Sequence, residues 1–376
     1  MAQFDEANSV RDFVRDLVGS DDVQFLAGTE LPRRTDEVLL EEVVKDSLIR
    51  LNPEIEADPA KADEVIYKLR AVLVSARTSP HPVVANEEFM AWLTGQKSMP
   101  FGSNGEHTTV RLINFDNPDD DSSNQWIIST EVTFAQGRVE KRFDLVLWCN
   151  GFPLVIGEAK SATRPAYTWI DGAAQIHDDY EQSVPQFFVP NVFSFSTEGK
   201  NLHYGTVGMP VELWGPWREE TPDEDQPAKI GLVAVQEAVE GILNPAAVLE
   251  FLRFFTIYAT DKKHRKIKII ARFQQFQATN LIVDRVLLGK IKQGLIWHFQ
   301  GSGKSLLMVF TALKLRAMAE LTNPTILIVV DRIDLDAQIT GTFNASDVPG
   351  LISTDSRTQL QTLLSQGARK VIITTI

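Results

Sequence analysis

Apolar residues return every three or four positions through Val38, Leu39, Val43, Val44 and Leu48, the period of a helix that buries one face. Thr35 stands where a side chain can cap the first turn and Asn52-Pro53 stops the run, so the pattern predicts a helix from Thr35 to about Leu51. Asp58-Pro59 opens a second helix, with proline in its first turn and Val65, Ile66, Leu69, Val72 and Leu73 facing inward. Beyond Pro100 the texture changes to strands. The runs at Thr109–Phe115, Trp126–Phe134, Val139–Trp148 and Leu154–Ala159 are separated by turn signals at Gln136-Gly137 and Asn150-Gly151. Helices beside a largely antiparallel hairpin sheet predict an α/β, sandwich-like domain.

The stretch from Trp214 to Lys229, rich in Pro, Glu and Asp, has no apolar period and reads as an exposed connection. Pro245 then starts an apolar helix through Val248, Leu249, Leu252, Phe255 and Ile257. From Phe273 helix and strand alternate: a helix to Leu288, a strand over Gly294–Phe299, a helix over Lys304–Leu321, a strand over Thr325–Val330, a helix over Leu335–Phe343 and a strand over Lys370–Thr375. That alternation predicts a doubly wound parallel sheet. The expected division is 1–229, a connecting helix and basic segment at 230–270, and 271–376.

With 376 residues, 44% of them hydrophobic, the chain can bury two ordinary cores. A single cysteine, Cys149, excludes an internal disulfide and a cysteine-rich zinc site. No charged-then-apolar leader opens the sequence, and no apolar run reaches the roughly 18 residues that span a bilayer. A cytoplasmic protein without a membrane partner is expected. The net charge of -13 opposes a general affinity for phosphates. Its distribution softens that objection, because acid gathers in Asn117 to Asp121 and Arg218 to Asp225, whereas Lys262 to Lys266 is a basic run that reads first as a charged turn.

Two groups of residues carry chemistry. In Arg142-Phe-Asp144-Leu-Val-Leu and Val155-Ile-Gly-Glu158-Ala-Lys160, acids interrupt apolar strand residues, where an unpaired carboxylate is costly. Glu158 and Lys160, two apart on a strand, project to one face. Carboxylate oxygens suit Mg²⁺, and a lysine beside them can meet water or phosphate, which is the equipment for phosphodiester hydrolysis. Hairpin geometry sets a condition. A plain two-residue turn at Asn150-Gly151 would put Asp144 opposite Gly157, on the wrong face from Glu158, so an odd loop or a bulge is required.

The second group is Gln300-Gly301-Ser302-Gly303-Lys304-Ser305 between the apolar Leu295-Ile-Trp and the apolar helix from Leu306. Glycines let backbone N–H groups converge on phosphate oxygens at a helix start; Lys304 would pair with the β and γ phosphates of ATP and Ser305 would ligate Mg²⁺. The usual leading glycine is replaced by His298.

Taken together and in order, the segments Arg142 to Lys160, Gly294 to Ser305 and Ile328 to Leu335 resemble the R subunit of type I restriction enzymes. The resemblance implies a PD-(D/E)xK nuclease, with a mixed sheet flanked by helices, joined to a superfamily 2 RecA-like motor. It implies Asp144, Glu158 and Lys160 as nuclease residues, Asp144 and Glu158 as the metal ligands, and Phe143 in the nominal proline position. Double-stranded DNA and the modification and specificity subunits are the implied partners. Gln275 would contact adenine and Arg332 would lie along the DNA. The family's Gln-x-x-x-Tyr pattern is departed from: Gln175 and Tyr180 are five apart, so on an α-helix they diverge by about 140° rather than about 40°. Gln175 is kept as a supporting residue, and Tyr180 is expected to point away. A Walker B acid and a second lobe would follow Ile376, so the sequence is expected to be an N-terminal piece or a truncated gene product. A stand-alone Mg²⁺ nuclease with a nucleotide-binding remnant, and a non-catalytic subunit-docking module, would use the same residues.

Overall fold

The computed structural model describes residues 7–19, 22–78, 82–116, 124–162, 166–218, 231–261, 263–330, 341, 350–367 and 369–375. The chain divides into two compact units, Met1–Arg253 and Phe254–Ile376.

The first unit is built on a mixed seven-stranded sheet of β1 (Val23–Ala27), β2 (Trp126–Gln136), β3 (Val139–Cys149), β4 (Phe152–Ala159), β5 (Phe193–Thr197), β6 (Leu202–Gly205) and β7 (Gly215–Pro216), in that spatial order. β1 runs parallel to β2 and β4 parallel to β5; the remaining neighbours are antiparallel. β4 is buried along its whole length, and this is why its sequence is a nearly unbroken apolar run. Around the sheet lie α1 (Ala7–Val18), α2 (Glu41–Leu51), α3 (Ala60–Ser75), α4 (Val83–Leu93), α5 (Trp169–Ala174), α6 (Leu232–Ile242) and α7 (Pro245–Arg253). Phe143 is fully buried and stacks on Phe187 at 4.3 Å, with Tyr180 and Phe188 against its edges. The aromatic ring in the nominal proline position thus anchors β3 in the core from the face opposite Asp144.

α2 begins at Glu41 with Leu40 at its cap and no side-chain cap bond; the Thr35 carbonyl instead accepts the Ala135 N–H, so Thr35 does not start the helix. The run at Thr109–Phe115 yields only a two-residue pairing of Thr108–Thr109 with Ser98–Met99, while Leu112 and Ile113 are buried without strand pairing. The helix from Pro245 stops at Arg253, and Thr256 begins a strand because the β-branched Thr256-Ile257 pair better in a ladder than they continue a helix.

In the second unit, β8 (Thr256–Thr260) and β9 (Lys266–Ile270) form an antiparallel hairpin. The described part of the basic run is its tip, where Asp261 Oδ1 accepts the Lys263 and Arg265 N–H groups. It is the charged turn that the pattern suggests first. α8 (Phe273–Leu288) and α9 (Lys304–Ala317) pack together, and β10 (Ile326–Val330), β11 (Leu351–Thr354) and β12 (Val371–Thr375) form a parallel sheet in the order β10-β12-β11, with α10 (Arg357–Ser365) on the connection from β11 to β12. The strand expected over Gly294–Phe299 is not formed: the segment has no ladder partner among the described residues, and Leu295, Trp297 and Phe299 are exposed. Apolar alternation alone cannot hold a strand without a neighbour to take its hydrogen bonds. The expected helix over Leu335–Phe343 lies almost wholly outside the described residues.

No single described helix is long and apolar enough to cross a membrane. The bent pair α6 and α7 passes such a test jointly, yet Val235, Val239, Ile242, Phe251 and Leu252 are buried inside the first unit.

Candidate active site

The hairpin of β3 and β4 turns on Asn150 and Gly151, both with left-handed backbone (φ 49° and 82°), as a two-residue turn requires. The Asn150 side chain is fully buried and fixes the turn from inside: Nδ2 donates to the Leu112 carbonyl and to Asn124 Oδ1, and Oδ1 accepts the Gln125 N–H. Cys149 pairs with Phe152 and Trp148 with Pro153, but Leu147 pairs with Val155, so Leu154 is an extra residue on β4. That bulge carries Leu145 opposite Gly157 and therefore Asp144 onto the rung of Glu158. The condition set by hairpin parity is met by a bulge just past the turn rather than by an odd loop.

The two acids converge. Asp144 faces Glu158 closely enough to raise its carboxyl, and Asp144 Oδ2 accepts the Ala159 N–H at 3.0 Å. Lys160 Nζ sits 3.0 Å from Glu158 Oε1. Glu158 is 3% exposed, and its Oε2 has no hydrogen-bond partner among the described residues. Burial first, and the neighbouring Asp144 second, push its carboxyl up to about 8, against the opposing pull of Lys160. Burial also raises Asp144, opposed by the Ala159 N–H and Lys160. A pair of carboxyls driven toward protonation, one with an idle oxygen, is a site lacking positive charge. Two hard oxygen donors fit Mg²⁺, which takes one or two carboxylates and fills its other positions with water and phosphate oxygens. No cluster of three or more His, Cys, Asp or Glu side chains suited to a metal occurs among the described residues.

Behind the lysine a chain of hydrogen bonds runs back to the strand. Lys160 Nζ donates to Gln175 Oε1, Gln175 Nε2 donates to Tyr180 Oη, and Tyr180 donates to the Arg142 carbonyl at 3.1 Å. The expectation that Tyr180 points away is wrong. Residues Gln175–Tyr180 form one π-helical turn, in which hydrogen bonds span five residues, so side chains five apart stand nearly above one another. Gly172 permits the approach of α5: a Cβ there would clash with Ser196 Oγ and stand 3.2 Å from Glu158 Cγ. Ser196 lies opposite Glu158 on β5. Neither Gly172 nor Ser196 is marked by the sequence, because their importance is a matter of clearance between elements.

In the second unit Gly301 and Gly303 both adopt left-handed backbone (φ 87° and 80°), immediately before α9. Lys304 Nζ folds back over the loop onto the carbonyls of His298 at 3.1 Å and Phe299 at 2.9 Å. Ser302 is buried and Ser305 occupies the first turn of α9. Gln275 is 2% exposed; its Oε1 accepts the Arg272 N–H and its Nε2 donates to the carbonyls of Ser302 and Gly303. Its carboxamide thus ties the start of α8 to the loop. Arg332 lies outside the described residues.

The family profile of the type I restriction enzyme R protein N terminus matches residues 3–210, more than half of the chain. The chain belongs to this family. The profile of the SWI2/SNF2 ATPase matches residues 274–376, the region of the glycine loop. The type I restriction enzyme HindI endonuclease subunit of Haemophilus influenzae is 29% identical over 345 residues, covering 88% of this chain and 31% of that relative. A candidate type I restriction enzyme MjaVIIP endonuclease subunit of Methanocaldococcus jannaschii is 33% identical over 248 residues, covering 62% and 22%. The chain therefore spans less than a third of the length of these relatives.

Proposed function

We propose that the first unit is a PD-(D/E)xK nuclease that cuts double-stranded DNA with Mg²⁺, and that the second carries the ATP-binding part of a superfamily 2 RecA-like motor. In the assembled enzyme, cleavage would be coupled to ATP-driven translocation and directed by modification and specificity subunits. The segment 230–270 between the nuclease domain, 1–229, and the motor part, 271–376, would then give α6 and α7 to the first unit and a hairpin to the second.

One observation carries the nuclease reading: Asp144 and Glu158 meet on a bulged hairpin, with Lys160 paired to Glu158. Asp144 and Glu158 would hold the ion. Bound Mg²⁺ supplies a water of lowered pKa and offsets charge on the phosphate. Lys160 can orient the attacking water or meet charge developing on a phosphate oxygen. Gln175 and Tyr180 keep the ammonium there, since each link is anchored to the next and the last to the β3 backbone. In the second unit the amides of Gly301 to Gly303, Lys304 and Ser305 would hold the phosphates of ATP, with Gln275 bracing the loop.

Plasmid incubated with Mg²⁺ and the protein, alone and with the partner subunits, tests the reading. Asp144→Ala, Glu158→Ala and Lys160→Ala should each abolish cleavage while a full-length version keeps its ATP turnover. Parental cleavage by the Lys160→Ala enzyme would refute the assignment.

A further inference from the structure

Glu131 sits in the middle of β2 with φ +56°, a left-handed conformation that an L residue in a strand rarely adopts. The ladder from β2 to β3 is in register on both sides, Thr130 with Leu145 and Val132 with Phe143, so Glu131 is opposite Asp144 and its rung is the one missing. Gly28 makes room for the kink: a Cβ there would come within 2.5 Å of the Glu131 carbonyl oxygen. Held this way, Glu131 Oε1 bridges two guanidinium groups, Arg11 of α1 at 3.0 Å and Arg142 of β3 at 3.5 Å. Arg11 is largely buried, whereas the Arg142 side chain is 63% exposed. Arg142 lies two residues from Asp144 on the same strand, hence on the same face; Arg11 is also paired with Asp12 at 3.3 Å, so the exposed Arg142, held at the longer distance, is the cation placed to meet a phosphate beside the acidic site.

Building on the nuclease reading, we propose that Arg142 contacts a DNA backbone phosphate beside the bond to be cut, and that the kinked Glu131, braced by Arg11, positions it. In a chain of net charge -13 the grip on phosphate has to be local, and strained backbone maintained next to a reactive pair points to a functional constraint.

The test measures binding of a short duplex DNA to the full chain over a series of salt concentrations, with Ca²⁺ in place of Mg²⁺, together with plasmid cleavage by the assembled enzyme. Arg142→Ala should flatten the plot of log affinity against log salt by about 0.9, the value for one lost phosphate contact. Arg142→Lys should keep the parental slope; a slope as flat as that of Arg142→Ala would tie the effect to packing and overturn the proposal. Glu131→Gln, which keeps shape and removes charge, should retain the slope but lower cleavage about tenfold, a loss of roughly 1.4 kcal/mol. It should cost nothing further in the Arg142→Ala background. Losses that multiply in the double variant, or an unchanged slope in Arg142→Ala, would overturn the assignment. Asp144→Ala separates the two levels: parental cleavage there sinks the nuclease reading itself, while abolished cleavage with an unchanged Arg142→Ala slope sinks the Arg142 assignment alone.

Discussion

Mg²⁺ binding at the Asp144–Glu158 pair should be strongly linked to pH. Glu158 has its carboxyl raised from 4.5 to about 8 by burial and by Asp144, so near neutrality it holds a proton that must leave before an ion is bound. With a value of about 8, close to 0.9 proton should be released per Mg²⁺ at about pH 7, and only about 0.1 at about pH 9. The apparent affinity should rise about tenfold per pH unit below about 8 and level off above it. Calorimetric titration of Mg²⁺ into the chain, in buffers of different ionisation enthalpy, reads both quantities. Stability of the metal-free protein should follow the same group with the opposite benefit. A carboxyl raised in the fold contributes fully below its unfolded value of 4.5, and that contribution is lost as pH rises through about 8; the shift corresponds to a change on the order of 5 kcal/mol. Glu158→Gln should remove the proton release and the Mg²⁺ binding while stabilising the metal-free protein at alkaline pH. An Mg²⁺ affinity equal at pH values two units apart below 8, or binding without proton release, would refute the reasoning.

Other outcomes follow from the same geometry. Gly172→Ala should destabilise the protein by roughly 1–3 kcal/mol, because its methyl meets Ser196 Oγ and crowds Glu158; adding Ser196→Ala should recover part of that loss in a melting experiment, and no recovery would show that the clearance is not the cause. Tyr180→Phe removes the last anchor behind Lys160 and should reduce cleavage more than it lowers the melting temperature. Lys304→Ala should weaken ATP binding measured by titration; unchanged affinity would show that the glycine loop does not hold phosphates.

The hairpin carrying the acids was legible because its strands alternate clearly and Asn150-Gly151 supplies the two left-handed residues that a tight turn needs. Parity even revealed that an irregularity had to exist. Its place at Leu154 was not legible, since Leu154 and its apolar neighbours are equally buried and interchangeable in pattern. Glu131 left no trace for a related reason: the room for its kink comes from Gly28 and its partners are Arg11 and Arg142 on other elements, and nothing in the local residues requires it. The helical extension to Ile257 failed where two periods overlap, the helical stripe ending at Leu252 and the strand beginning at Thr256. Over Gly294–Phe299 the residue pattern is apolar enough for a strand, yet a strand is a property of pairs.

The π turn at Gln175–Tyr180 changes what a fixed interval in a motif means. A count of intervening residues stands in for an angle, and the conversion holds only while the helix keeps one pitch. Here a single wider turn absorbs an additional residue, and the glutamine and tyrosine still meet above the lysine. An insertion of one residue in this helix should therefore leave the glutamine and tyrosine in contact, whereas a deletion or insertion in the hairpin would throw an acid to the other side of the sheet. Around this one site, the helical wall should tolerate changes in length that the strand wall cannot.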